Sequence, residues 1–517
     1  MLTTGNKQPD ILLLVLDTQR ADKLSCYGYG VETSPNLDRL VNDGATQFSK
    51  AVAPAQWTVP SHASLFTGLY PSQHSLVQMD AALPSPVVTL AQRLRQAGYF
   101  TAGFSHNPLI GRVPNNLNRG FINFQNYNTP GAGLLAFQFD KDKKLPTVST
   151  RMKHYGRFLI AESLGYSQTS PLQHLSMVGH PLWNKLQHLT KRSKAALATK
   201  SLQDAAHILI NRPGLTSEQP AFVFMNLMGT HTPYAPSSEK LRRFLPERLG
   251  SKHARQFQQM VNRWQVNIDN WLDMPFVHEA LEAILHAFYD AEVAEQDAKL
   301  GKFFDTLKHN HAWENLLVVV MADHGDHLGE KKRLNHAFGV YEPLVHVPLI
   351  VRDPEGQFTN GTVQEQVVST RQVFHTLLTA VNVATPEEEK LSLQNSANSA
   401  PELILAEGHP IEWALQRLKQ NRPEIINPQQ AHKPAYGIFA KGHKLITIGS
   451  RQELYDLQED NLETSDLSQQ QHDLRRDLYN LLQTQLAQMT PVVAEVERRD
   501  VEDEIVLAQL RRLGYLE

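Results

Sequence analysis

Apolar positions fall in two patterns along the chain. Apolar runs occupy Ile11–Leu16, Ala221–Met228 and Leu316–Met321, with shorter runs at Thr101–Phe104 and Pro348–Val351. Leu- and Val-rich runs of this length predict strands covered on both faces. Between them the spacing turns helical. Pro35-Asn36-Leu37-Asp38 opens a short helix, and another begins at Ser61–Leu65 behind Pro60, a residue suited to a first turn. Val88–Ala97 is amphipathic and ends at Gly98, and Ala280–Leu307 is a long helical pattern. Strands alternating with helices predict an α/β domain with a mostly parallel sheet, whose chemistry gathers at the carboxyl ends of its strands. Asp17 follows the first run, His231 the third, and Asp323 with His324 the fourth.

Elsewhere the pattern is looser. Residues 109–215 alternate helical and loop-like patches and read as a variable insertion over the sheet. Residues 384–401 are polar and rich in Pro, Asn and Ser, and read as a linker or surface loop. Residues 1–383 are thus expected to form the catalytic unit and 402–517 a smaller C-terminal subdomain. There Tyr436–Ile448 alternates like a hairpin. From about Gln470 a helical tail carries a stripe of Leu474, Leu478, Leu481 and Leu482, expected to pack on the main domain.

Composition narrows the function classes. The chain has 517 residues, 50 Lys+Arg against 53 Asp+Glu and a formal net charge of −3, which argues against nucleic acid and acidic membrane surfaces as partners. Cys26 is the only cysteine, so a disulfide framework or a cysteine-rich zinc site is excluded. No apolar run approaches the ~20 residues of a membrane span. Nor does MLTTGNKQPD lead into a secretory signal, so a cytoplasmic location is expected. Homo-oligomerisation is left open.

Four segments carry candidate chemistry. In Thr58-Val59-Pro60-Ser61-His62 a hydroxyl precedes a proline-initiated helix, whose free N–H groups suit an anion; alone, Thr58 also reads as an ordinary N-cap. Asp17 ends a buried strand. Asp323-His324-Gly325-Asp326-His327 places four ionisable residues in five positions after another. Gly229-Thr230-His231-Thr232-Pro233-Tyr234 follows a third.

Together these segments resemble the sulfatases of the alkaline phosphatase superfamily. Thr58-Val59-Pro60-Ser61-His62 through Leu65-Phe66-Thr67-Gly68 resembles the C/S-x-P-S-R…L-x-T-G nucleophile signature. Leu16-Asp17-Thr18-Gln19-Arg20 is similar to the family opening, and Ser34-Pro35-Asn36-Leu37-Asp38-Arg39-Leu40 to T-P-N-L-D-x-L. Gly98-Tyr99-Phe100-Thr101-Ala102, Asp323-His324-Gly325-Asp326, Val347-Pro348-Leu349-Ile350 and Glu453-Leu454-Tyr455-Asp456-Leu457 match further motifs in order. The resemblance implies an alkaline-phosphatase-like fold: a central, mostly parallel sheet flanked by helices, with a small C-terminal antiparallel α+β subdomain. It further implies Asp17, Thr58, Asp323 and His324 as ligands of one divalent ion, Mn²⁺, Ca²⁺ or Zn²⁺. Thr58, His231 and His336 are the implied catalytic residues, and His62, His106, Asn107 and Tyr234 the substrate-binding ones. His327 is expected outside the ligand set. Neither Asp290 nor Asp297 has a histidine four residues on, so the two-metal pattern of related phosphatases is missing.

The departures bear on the reaction. Thr58 stands where the family converts a cysteine or serine to formylglycine, Thr18 where it usually has a second aspartate, and His62 where it has an arginine. The lysine of the family's G-K-W-H stretch is matched by His106, and its later lysine-histidine pair by Asn335-His336. Hydrated formylglycine expels sulfate by collapsing to the aldehyde. Threonine lacks the second hydroxyl, so its ester must be attacked at the central atom. That favours phosphate and phosphonate esters over sulfate esters. The expected protein is a metal-dependent hydrolase of small anionic esters (phosphodiesters, phosphonate monoesters or sulfates). A phosphoryl transferase to an acceptor alcohol, like the threonine-bearing phosphoethanolamine and lipoteichoic-acid transferases, and a non-catalytic anion-binding protein are the alternatives.

Overall fold

The computed structural model describes residues 8–127, 194–216, 218–246, 254–274, 279–358, 362–395, 403–493, 496–513 and 515. Most of the expected insertion, 128–193, and the end of the expected linker, 396–401, lie outside them.

Strands β1 (Asp10–Leu16), β2 (Thr46–Val52), β3 (Phe100–Ser105), β4 (Asn123–Asn126), β5 (Ala221–Leu227) and β6 (Leu316–Met321) form most of a nine-stranded sheet. A small ribbon of β7 (His327–Leu328) and β8 (Leu334–Asn335) follows. The large sheet is completed by β9 (His346–Val347), β10 (Leu349–Arg352) and β11 (Val363–Ser369). The order is β11-β2-β10-β6-β1-β5-β3-β4, with β9 beside β2. Neighbours from β6 to β4 are all parallel, while β10 runs antiparallel to both β2 and β6. The five predicted apolar runs are β1, β3, β5, β6 and β10, each within a residue of its predicted ends. Central β1 and β6 are buried from Ile11 to Leu16 and from Leu316 to Met321, which is why their sequences carry no polar alternation.

The helix predicted from Val88 starts at Leu90, where Thr89 and Gln92 form a capping box, and Gly98 turns the chain with φ +94°. The long pattern becomes a helix over Glu279–His309. Within the stretch read as a linker, a Thr385–Glu388 capping box starts a short helix, Pro386–Lys390; a capping box outweighs polar composition there.

A four-stranded antiparallel sheet, β12 (Ile404–Gly408), β13 (Ala435–Ala440), β14 (His443–Ile448) and β15 (Arg451–Asp456), forms the C-terminal layer. The predicted hairpin is β13–β14, closed by Lys441 and Gly442, both at positive φ as a two-residue turn requires. The leucine stripe packs differently from expectation. Leu478 and Leu482, on the helix His472–Gln488, cover Leu405, Ile438, Leu445 and Leu454 of this small sheet, and the main domain contributes Tyr70. Among the described residues no helix is long and apolar enough to cross a membrane.

Candidate functional site

The site lies at the carboxyl ends of adjacent strands. Asn107 follows β3, His231 β5, Asp17 β1, and Asp323 with His324 β6, in the spatial order of the sheet. Thr58 arrives from the far side on the helix Thr58–Thr67, every residue of which is buried. The helix starts earlier than predicted. Thr58 is its first residue and Trp57 takes the cap position without a side-chain bond, so the Thr58 hydroxyl is free of capping. Ser61 Oγ donates to the Asp323 carbonyl (2.6 Å), tying the helix to the β6 end.

The turn after β1 is strained for a purpose. Thr18, a β-branched residue, sits at φ +61°, a conformation costing about 1–3 kcal/mol. It aims its N–H at Asp323 Oδ1 (3.2 Å), while its hydroxyl donates to the Asp17 carbonyl (2.7 Å). The position of the family's second aspartate therefore contributes a backbone donor and no carboxylate. Gly325 lies so close to the Pro343 carbonyl that a Cβ would stand 2.0 Å from it, so only glycine lets the β6 turn pass.

One oxygen of each aspartate is committed and the other is open. Asp17 Oδ2 accepts from Asn107 Nδ2 (2.9 Å) and Asn226 Nδ2 (3.1 Å), leaving the buried Oδ1 without a partner. Asp323 Oδ1 accepts from the N–H groups of Thr18 and His324 (3.0 Å), and its Oδ2 accepts no hydrogen bond. His324 Nδ1 donates to the Gly325 carbonyl (2.8 Å), which fixes the tautomer and turns the Nε2 lone pair inward. That Nε2 lies 3.9 Å from Asp17 Oδ1, 3.5 Å from Asp323 Oδ2 and 3.3 Å from Thr58 Oγ1.

The electrostatics carry the same signature. Burial and the neighbouring Asp17 charge push Asp323 well above the ordinary carboxylate range. Burial also opposes the Asp17 charge, but His231, His324 and the Asn107 bond outweigh it and hold that carboxyl low. Burial and His336 push His324 well below its usual value. Two facing buried carboxylates with an open oxygen each, beside a neutral imidazole, form a donor set for a divalent cation. Asp17, Asp323 and His324 offer ligand atoms within 4.8 Å of one another and form the only such group found among the described residues. Asp290 pairs instead with Lys23 (3.7 Å) and Tyr29 (2.8 Å), and Asp297 accepts from Asn36 and Leu37 at a helix start.

Of the residues implied as catalytic or substrate-binding, Thr58, Asn107, His231 and His336 come together. Asn107 Nδ2 donates to Asp17 and reaches Thr58 Oγ1 at 3.3 Å. His231 Nδ1 donates to the Thr232 carbonyl (2.6 Å), so Nε2 faces the site; burial lowers this histidine to about 4 despite the Asp17 charge, not the 6.5 of a free imidazole. The His336 ring lies 4.5 Å from that of His324 and 5.3 Å from that of His231. Of the other three, His62 backs the ligand group, while His106 and Tyr234 turn away from it. His62 sits a turn behind Thr58 on the protein side of the ligand group: its Nδ1 donates to the Thr58 carbonyl (3.0 Å) and lies 3.4 Å from Asp323 Oδ2, and its ring is edge-on to Phe66 and Phe224. His106 bonds Ser201 (2.8 Å), stacks on Tyr127 and faces a neighbouring cleft of about 450 Å³ with Lys194, Glu292 and Lys299. Tyr234 is buried beside Tyr289, with its hydroxyl on Gln265. His327 lies outside the ligand group, its ring against Tyr341.

Sequence reading missed three participants. Asn226 is a polar residue inside an apolar run, which was the available signal. Lys194 Nζ donates to the carbonyls of Gly229 (2.7 Å) and His231 (2.5 Å), tethering the His231 loop. Tyr515 brings its hydroxyl 2.8 Å from His231 Nε2, and nothing in its surroundings in the sequence marks it.

Known proteins share this frame. The family model described as Sulfatase matches residues 9–383. An arylsulfatase of Clostridium perfringens is 24% identical over 399 residues, covering 75% of this chain and 78% of that protein. An N-acetylgalactosamine-6-O-sulfatase of Bacteroides thetaiotaomicron is 21% identical over 532 residues, 93% of each. The crystal structure of a phosphonate monoester hydrolase of Agrobacterium radiobacter superposes with a TM-score of 0.62 at 20% identity, covering 95% of this chain and 100% of that one. The motif order, the strand-end placement of Asp17, Asp323 and His324, and a family match across most of the chain lead to one assignment: this chain belongs to the sulfatase family.

Proposed function

We propose that the chain hydrolyses small anionic esters, phosphate or phosphonate esters ahead of sulfate esters, with Thr58 as nucleophile. The observation that carries the reading is the place of Thr58 Oγ1. It is free of capping, buried, held by Asn107, and 3.3 Å from His324 Nε2 beside two open carboxylate oxygens.

Asp17, Asp323 and His324, joined by Thr58 Oγ, would hold one divalent ion. When bound, that ion supplies positive charge that acidifies the Thr58 hydroxyl and offsets charge on the ester's non-bridging oxygens. The chain's own residues do the rest. The Asn107 amide fixes Oγ for attack while bracing Asp17. The helix N-terminus at Thr58 points its dipole at the anion. His231, neutral in the free protein, gains proton affinity when an anionic ester arrives beside it. Protonated from solvent in that complex, it gives the Nε2 proton to the leaving oxygen as Thr58 Oγ, its own proton passed to solvent, displaces that oxygen; it takes a proton back from the water that then attacks the central atom and frees Thr58. Thr58 has no geminal hydroxyl, so its ester is cleaved only at the central atom. This ranks phosphorus esters first, and a phosphonate monoester hydrolase among the structural neighbours accords with the ranking.

The test is a screen of metal-loaded protein against aryl sulfate, phosphate monoester, phosphodiester and phosphonate monoester substrates, with Thr58→Ala as control. Turnover of at least one, lost in Thr58→Ala, is expected. Full activity in that variant would move the nucleophile to water. A product carrying an added alcohol in place of water would make the protein a transferase.

A further inference from the structure

The helix Glu504–Arg512, with Leu513 and Tyr515, closes the site in a way its chemistry does not require. The helix Glu504–Arg512 buries Val506 and Leu510, and the chain continues through buried Leu513 to Tyr515, which is 4% exposed. The Tyr515 hydroxyl lies 2.8 Å from His231 Nε2, 3.4 Å from Asn107 Nδ2 and 3.5 Å from Thr58 Oγ1. Its ring enters beside His336, with centroids 6.4 Å apart, along a cleft of about 250 Å³ walled by Trp57, Trp271, Trp413 and Leu513.

An ester poised for attack must bring its central atom to about 3–3.5 Å from Thr58 Oγ1. Its oxygens must meet Asn107 and His231, because these are the donor and proton carrier around that point. The Tyr515 hydroxyl already touches all three groups, so the phenol and a bound ester exclude each other. The phenol meets His231 as the alcohol of a cleaved ester would.

The arm is built to leave. The stretch leading into it is held by ion pairs at the rim: Arg112 with Asp503, and Arg498 with Asp80 and Glu412, the last pairs about half exposed. Such pairs contribute little each. The apolar burial of Val506, Leu510, Leu513 and Tyr515 is opposed by the entropy of ordering the segment, a term of similar size.

We propose that the helix Glu504–Arg512, with Leu513 and Tyr515, is an intramolecular plug, Tyr515 standing in for the ester's alcohol oxygen, so that anions enter only when the arm withdraws. The inference rests on the anionic-ester reading of the same site. Apparent affinity then equals the intrinsic affinity reduced by the open fraction. The test is isothermal titration of inorganic phosphate into the metal-loaded full chain, as wild type, Tyr515→Phe and Tyr515→Ala. Tyr515→Ala should bind phosphate at least about fivefold tighter, with Tyr515→Phe between, because it keeps the buried ring and loses only the hydroxyl. Saturating phosphate should also speed tryptic cleavage after Arg511 of the wild type at least about threefold. Phosphate binding that is equal in all three, or weaker in Tyr515→Ala, overturns the plug while leaving the anion site standing. Absence of phosphate binding in every variant overturns the anion-site reading, and the plug with it. Cleavage after Arg511 that phosphate does not change also overturns the plug.

Discussion

Asp323→Asn separates the role of this carboxylate in holding a cation from any role in the fold. In the metal-free protein, burial and the Asp17 charge raise Asp323 well above the ordinary carboxylate range, which favours its neutral form. Asparagine is then a neutral replacement of nearly the same shape. Its carbonyl keeps the Thr18 and His324 N–H bonds, and its amide points a donor toward the open oxygen of Asp17. The metal-free variant should match metal-free wild type to within about 1 kcal/mol, the net size of one exchanged hydrogen bond. The pH dependence differs in sign. A carboxyl raised in the fold stabilises it fully below the unfolded pKa of about 4, and that advantage is lost as pH rises toward the folded value. Metal-free wild type should therefore lose this increment with rising pH, and Asp323→Asn should not. With free Mn²⁺ at 100 times its Kd, binding adds about 2.7 kcal/mol to wild type. Spread over roughly 400 residues melting together at about 2.1 cal/mol/K each, this raises Tm by about 3 °C. Calorimetry with and without chelator, alongside elemental analysis, reads both numbers. Equimolar metal retained by Asp323→Asn, or a wild-type Tm indifferent to chelation, refutes the site.

Thr58→Ala should abolish turnover and Thr58→Ser retain part of it, and mass spectrometry of acid-quenched wild type should find the substrate's group on the Thr58 peptide. His231→Gln should lower kcat by about 10²–10⁴, more for poor leaving groups than good ones. Because the leaving oxygen takes its proton from the charged imidazole, wild-type kcat/KM should decline as pH rises above about 4, the value burial gives His231 in the free protein, with no break at 6.5. Lys444→Met should destabilise the C-terminal layer by about 3–5 kcal/mol in denaturant titrations. It strands Glu463 and Glu342, which Lys444 meets at 2.7 and 2.8 Å with its side chain fully buried.

The parallel core was legible because strands buried on both faces write themselves as unbroken apolar runs. β2 and β11 escaped notice because their sequences, TQFSKAV and VQEQVVS, carry the polar residues of strands nearer the sheet's edge. The metal-type ligands were legible because carboxylates and imidazoles directly after apolar runs are costly without a purpose. His106 and Tyr234 were placed by motif position alone, and motif position does not fix the direction of a side chain. His106 turns to Ser201 and Tyr127. Tyr515 was invisible for the opposite reason: its partners lie 284 and 457 residues away in the chain.

The order in which the chain is synthesised sets when this site can exist. β1 occupies the middle of the sheet, yet its two neighbours are β5 and β6, so one edge stays unpaired until residue 227 has been made and the other until residue 321. At about 5–20 residues per second, the Ile11–Leu16 run spends roughly 15–60 s as an exposed apolar strand with open edges. This is a binding surface for a holdase chaperone and a hazard for pairing between chains on one polysome. Ribosome-bound chains stalled before residue 316 should leave this segment open to proteolysis. Protection should appear only once β6 is out, at the same moment that Asp17 and Asp323 first face each other.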